Sequence, residues 1–449
     1  MEKNPTSRVE RWLQKTNAIN FSIYCITAAF LTYCSMYAFR KPFTAGVFAD
    51  LQLWGIDYKI VLIIAQVLGY MLSKFIGIKV VSEMQPQGRI KSILVLIGIA
   101  WLALLLFGLI PYPYNFVALF LNGLPLGMIW GIVFSFLEGR RFTELLGAGM
   151  SASFIVSSGL VKATGRGLID GYGISEFWMP FLTGMLFVPL LFLGVWMLSK
   201  IPPPTAEDVS MRTQRIPMGR RERVQFFLAF APGIILMVAI FIGLTIFRDL
   251  RDNFAVELWA ALGYADAPEI LLTAEIPIAV CVLIIIGLMM FIKNNRIAFY
   301  ANHCIIILGG LLVLVTTWMF ANGALHPAAW MIIIGFGMYL AYISYHTMLF
   351  ERWIALFEYK SNIGYLMYVA DAFGYLGSVA ILLFRNFGAG NVSWLTFFTR
   401  SAYIMGGFTV VTGLVATLYF LQRERVKVRE GGRPSFIVPD GRRDPIGRV

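Results

Sequence analysis

The chain has 449 residues, 58% of them hydrophobic and only 14% charged, with a mean hydropathy of +0.73. A soluble domain carries about 25% charged residues, so this composition excludes a water-soluble globular protein and points to a polytopic α-helical membrane protein. The net charge of +12 would suggest nucleic acid in a soluble chain, but most of the excess lies in loops and tail, where membrane topology accounts for it.

The first residues, 1–17, are polar and basic, and the first apolar run is long enough to span a bilayer, so no cleavable signal is expected. Twelve apolar segments follow, at 18–49, 58–80, 92–110, 115–138, 146–169, 177–199, 225–256, 268–292, 297–320, 328–350, 362–386 and 399–421. The ten-residue alternation of a transmembrane barrel is absent. The longest polar link, at 200–224 and opened by Pro202-Pro203-Pro204, divides the spans six and six. The expected organisation is a six-helix half at 1–199, a linker at 200–224, a second half at 225–421 and a disordered basic tail at 422–449. Lys and Arg gather in alternate loops and are missing from those at 111–115 and 321–329, which predicts cytoplasmic termini and a plasma (inner) membrane location.

The first segment carries Arg40 and Lys41 after the run Ile19–Phe39, followed by Phe43, Ala45, Val47 and Phe48. Continued to about Ala49, the helix would be ~45 Å long and Arg40 would lie inside the membrane, with Tyr33, Tyr37 and Thr44 on its face. A charge at such depth faces a cavity and marks a substrate path. The alternative is a helix that ends at Phe39, with the cations snorkelling to the headgroups. On the second segment, Gln66, Tyr70 and Lys74 share a face; on the fifth, Lys162 adds to Ser151, Ser153, Ser157 and Ser158, residues that favour close helix packing.

The seventh segment places Arg248 and Arg251 toward its outer half, and the eighth is headed by Glu275. The tenth holds His346 among Tyr339, Tyr342 and Tyr345, and the eleventh carries Tyr365, Tyr368, Asp371 and Tyr375. A mid-span carboxylate such as Asp371 requires a cationic partner or a proton. Glu138 and Glu351, each near arginines, suggest salt bridges at the cytoplasmic face. Aligning Arg40–Phe43 with Arg251–Phe254 gives an offset of 211, and Glu138 with Glu351 an offset of 213. Two landmarks with nearly one offset indicate a duplicated six-helix unit, the parallel repeat of major facilitator transporters. The expected fold is therefore all-α, with twelve transmembrane helices in two pseudo-symmetric halves. No phosphate loop, nucleophile elbow or metal-ligand cluster supports an enzyme, a cofactor or a metal.

Several of these residues resemble a family. Tyr33…Tyr37-Ala38-Phe39-Arg40-Lys41-Pro42-Phe43 is similar to the first helix of the organophosphate:phosphate antiporters. Gly69-Tyr70-Met71-Leu72-Ser73-Lys74-Phe75-Ile76, then Gln85-Pro86-Gln87-Gly88-Arg89, resembles their second helix. Leu250-Arg251 with Leu258-Trp259, and Phe373-Gly374-Tyr375-Leu376-Gly377-Ser378, extend the likeness to the other half. The resemblance implies that Arg40 and Arg251 hold a phosphate between the halves, with Tyr33, Tyr37, Lys41 and Lys74 around it, and that Arg40 faces the cavity. The family's pocket histidine falls near Ser157, its loop acid is displaced to about Glu83, and Arg248, Lys162 and Asp371 have no counterpart. The expected function is exchange of a small organic anion, such as a phosphorylated metabolite, for inorganic phosphate by a monomer in the lipid bilayer. The alternatives are proton-coupled symport through Asp371, Glu275 or His346, and a transporter-like membrane sensor.

Overall fold

The computed structural model describes residues 7–82, 84–137, 140, 143–204, 220–289, 291–357, 363–388 and 392–429. A short helix α1 (Arg8–Lys15) precedes the first spanning helix α2 (Ala18–Ala38). Its spanning partners in the first half are α3 (Tyr58–Ser82), α4 (Arg89–Leu109), the broken helix α5 (Phe116–Leu126) and α6 (Ile129–Phe134), the broken helix α7 (Thr143–Ser151) and α8 (Ser153–Tyr172), and α9 (Met179–Ser199).

The second half begins with α10 (Arg220–Asn253), whose first turns belong to the expected linker and which kinks at Phe230, two residues before Pro232. Proline there removes a backbone donor from the helix ladder, which is the usual cause of such a kink. Then come α11 (Ala255–Ala261), α12 (Ile270–Thr273), α13 (Glu275–Met289), α14 (Asn295–Ala321) and α15 (Pro327–Ser344). A π-helical turn, Tyr345–Leu349, joins α15 to α16 (Phe350–Phe357), and α17 (Ile363–Phe387) and α18 (Trp394–Arg429) complete the chain. Among the described residues eleven helices are long and apolar enough to cross a membrane. The eleventh apolar segment forms α17, whose 25 residues are also of spanning length.

Two boundaries differ from expectation. The first helix does not reach Ala49: it ends at Ala38, and a 3-10 turn at Pro42–Ala45 follows. Pro42 has no N–H for the Ala38 carbonyl and its ring would collide with that turn, so an α-helix cannot run through it. The second difference is at the C-terminus, where α18 continues through Gln422 to Arg429 into the stretch expected to be disordered. Its 36 residues span about 54 Å, more than a bilayer core. Glu424 ties the projection to α14 by accepting a hydrogen bond from Tyr300 (2.9 Å) and pairing with Arg296 (2.6 Å). Residues 430–449 lie outside the described residues.

Between α2 and α3 sits a minimal antiparallel hairpin, β1 (Gln52–Leu53) with β2 (Ile56–Asp57). Trp54 and Gly55 both have positive φ (55° and 71°), the signature of a tight two-residue turn. This hairpin marks one end of the bundle; α1 and the last turns of α18 mark the other. The halves meet along α3 and α17 and where α8 crosses α12 and α13.

Candidate functional site

The turn after α2 organises the centre. Its last carbonyls, left without helical partners, are taken by side chains of neighbouring helices: Asn122 Nδ2 donates to Phe39 O (2.8 Å) and Gln66 Nε2 to Arg40 O (2.6 Å). Those helices come close enough because they touch at glycine. A Cβ on Gly123 would lie 2.3 Å from the Gln66 carbonyl, and one on Gly69 would lie 2.2 Å from that of Phe120. Gln66, the first member of the polar stripe on α3, therefore caps the first helix.

Held this way, Arg40 turns inward. It is 5% exposed, and Lys41 6%. The helix thus ends where the snorkelling alternative puts its end, yet neither cation reaches for headgroups. The Arg40 guanidinium lies over the Tyr70 ring, 3.7 Å from its centroid, with Tyr33, Tyr37 and Tyr375 as further electrostatic neighbours. Tyr33 and Tyr37 meet edge to face at 5.6 Å, and Tyr70 and Tyr375 touch across the two halves at 5.2 Å. Among the described residues Arg40 has no carboxylate partner, and its Nε is buried without a hydrogen bond.

The other buried lysines and arginines among the described residues are paired. Lys41 Nζ contacts Asp252 Oδ2 (2.6 Å) and donates to Asn253 Oδ1 (2.7 Å). Lys162 Nζ reaches the other oxygen of Asp252 (2.8 Å) and its carbonyl (2.6 Å), and Ser158 donates to the same carboxylate. Lys59 pairs with Glu257, nearer the hairpin. Lys74 lies 3.2 Å from Asp371, so the second-helix and eleventh-helix stripes meet through their charged members. In each of these inter-half pairs the lysine comes from the first half and the carboxylate from the second.

Two arginines are paired within the second half. Arg251 contacts Glu275 Oε1 at 2.7 Å and donates to Met331 O at 3.3 Å. Arg248 contacts Asp249 at 2.8 Å, covers the Tyr342 ring at 4.5 Å and donates to the Tyr342 hydroxyl; Ser378 donates to the second oxygen of Asp249 (2.8 Å). The expected face-to-face pair of Arg40 and Arg251 is thereby altered. Arg251 is engaged by Glu275 in its own half, and it is Arg248 that shares Tyr37 and Tyr375 with Arg40 as electrostatic neighbours.

Glu275 heads α13 inside the bundle, as its position in the sequence suggested. Ser157 Oγ is buried beside the Cys34 thiol, while Ser151 and Ser153 bond back to their own helix. Close packing does occur on this helix, at Gly159, where a Cβ would lie 2.1 Å from the Leu271 carbonyl. The side chains of His346, Glu351, Tyr365 and Tyr368, and all of Glu83 and Glu138, lie outside what is described. Sequence reasoning missed Asp249, Asp252, Asn253, Lys59 and Glu257. A signal for Asp252 was present, since the offset of 211 carries Lys41 onto it.

This helical arrangement is the major facilitator fold, and the chain is a multi-pass membrane protein. A crystal structure of a D-xylose-proton symporter superposes with a TM-score of 0.57 at 14% identity, covering 89% of this chain and 97% of that one. A mutant of the nucleoside transporter NupG gives 0.57 at 13% identity, covering 89% of this chain and all of the other. The chain belongs to a family of unknown function, DUF5690, whose profile matches residues 42–423. No curated protein matches it in sequence.

Proposed function

We propose that this protein is a secondary transporter of a small organic anion that works by alternating access, and that Arg40 is the group that takes the anion. The observation carrying the proposal is the buried guanidinium of Arg40 among four tyrosines, without a carboxylate among the described residues. A buried unpaired charge costs several kcal/mol, an expense a protein retains where a ligand will neutralise it. Guanidinium also presents a planar donor fork matched to carboxylate and phosphate oxygens.

The charge balance favours an anion. Among the described residues Lys41 and Lys162 share the carboxylate of Asp252, and Arg40 has none. A phosphate monoester or inorganic phosphate would bring negative charge to this site, which suits exchange of an organic phosphate for phosphate. An empty carrier would keep its excess charge and resist crossing; a loaded one would be free to rock. With the termini in the cytoplasm of a plasma membrane, the hairpin end faces out, and the Lys41, Lys162 and Lys59 pairs close it.

Counterflow in proteoliposomes tests this reading. Vesicles loaded with unlabelled phosphate should take up labelled phosphate, phosphorylated metabolites should compete, and Arg40→Ala should abolish uptake. Uptake unchanged in that variant would refute the assignment. A second reading, proton-coupled symport, draws on the carboxylates at Asp371 and Glu275, each held by one cation within the bundle. Accumulation driven by an imposed pH gradient, without internal phosphate, would select it.

A further inference from the structure

We infer that the exposed face of α1 is a binding surface for anionic lipid headgroups. The helix is fixed at both ends of its short length: the Ser7 hydroxyl accepts from Glu10 N (3.2 Å), and Thr16 N closes on Trp12 O (2.9 Å). Leu13 is buried against the bundle, and Glu10 pairs with Lys200 at 3.4 Å. These contacts set which side of the helix turns away from the protein.

That side has one composition. At 100° per residue Arg8, Arg11, Trp12 and Lys15 fall within an arc of about 100°, and all four are exposed. Trp12 is 48% exposed. Its ring packs edge to face on Tyr24 at 6.3 Å, and Tyr24 sits six residues past the start of α2, roughly 9 Å along that spanning helix. Trp12 therefore lies at the depth where the span begins, level with Ile19 and Ile23, which are 71% and 58% exposed on the lipid-facing side. Its free face meets lipid. The three cations grouped around it stand at the same boundary, the height of the headgroup phosphates, where each basic side chain attracts anionic lipid. An aqueous protein partner fits less well, because Trp12 is on the same face and is held at the boundary where the span begins.

Fluorescence quenching in nanodiscs tests the surface on the full-length protein. The Trp12 signal is isolated as the difference between wild type and Trp12→Phe, in discs of equal phosphatidylglycerol and phosphatidylcholine in which one lipid or the other is brominated. The expected result is at least twofold stronger quenching of that component by the anionic lipid. Replacing the cations together (Arg8→Gln, Arg11→Gln, Lys15→Gln) should make the two lipids equal. The wild-type comparison stands even if that variant fails to fold. Equal quenching of wild type by both lipids, or none by either because something other than lipid covers Trp12, overturns the inference.

Discussion

Lys41 of the first half and Asp252 of the second, 211 residues apart, the offset at which the sequence aligns Arg40 with Arg251, are bonded to each other, Nζ to Oδ2 at 2.6 Å. The pair joins the turn that follows α2 to the last turn of α10 and so ties the two halves directly. Lys162 and Ser158 join the same carboxylate.

Removal of either partner should open that end. Asp252→Ala leaves two buried lysines without their carboxylate, and breaking such a pair costs about 3–5 kcal/mol. A cysteine introduced at the buried Thr44 should then react with a membrane-impermeant maleimide several-fold faster than in the parent. The swap Lys41→Asp with Asp252→Lys should recover part of the protection. Unchanged labelling in Asp252→Ala would show that this end is closed by packing alone.

Arg40 should be decisive for anion affinity. Loss of charge-assisted hydrogen bonds worth about 1.5–3 kcal/mol each predicts a drop of at least about 100-fold in Arg40→Ala. Arg40→Lys keeps the charge but loses the fork and its stacking on Tyr70, so it should fall between the two. Competition binding of labelled phosphate measures both.

Glu275 and Asp371 separate the two modes of transport. If exchange is the mode, Asp371→Asn should leave counterflow insensitive to an imposed pH gradient, as in the parent. If protons are coupled, the variant should retain exchange and lose gradient-driven accumulation. Glu275→Gln frees Arg251 and should strengthen equilibrium anion binding, because a second guanidinium loses its internal carboxylate. Isothermal titration with phosphate reads that change.

Gly159 should tolerate no side chain. A Cβ would stand 2.1 Å from the Leu271 carbonyl, and backbone cannot move aside as a flexible side chain would. Gly159→Ala should force α8 from α12 and destabilise the protein by about 1–3 kcal/mol, seen as a lower thermal midpoint in detergent. An unchanged midpoint would mean the two helices separate at no cost.

The spans were readable from hydropathy because lipid demands runs of about 20 apolar residues whatever surrounds them. The sequence also exposed the costly features, Arg40, Lys41, Lys74, Arg251 and Asp371, since charge inside such runs is rare and needs a reason. The end of the first helix was written there too, in Pro42, but the long apolar run around it argued for continuation.

The partner of each charge was not readable. Lys41 meets Asp252, Lys59 meets Glu257 and Lys74 meets Asp371 across the interface between the halves, between residues that lie far apart in the chain. Desolvation makes every buried charge seek an opposite one, but it does not say which. That choice depends on distances of a few ångströms, set by how helices such as α3 and α5 settle against each other at Gly69 and Gly123. The tertiary structure alone decided that Arg251 would rest on Glu275 while Arg40, among the described residues, has no carboxylate.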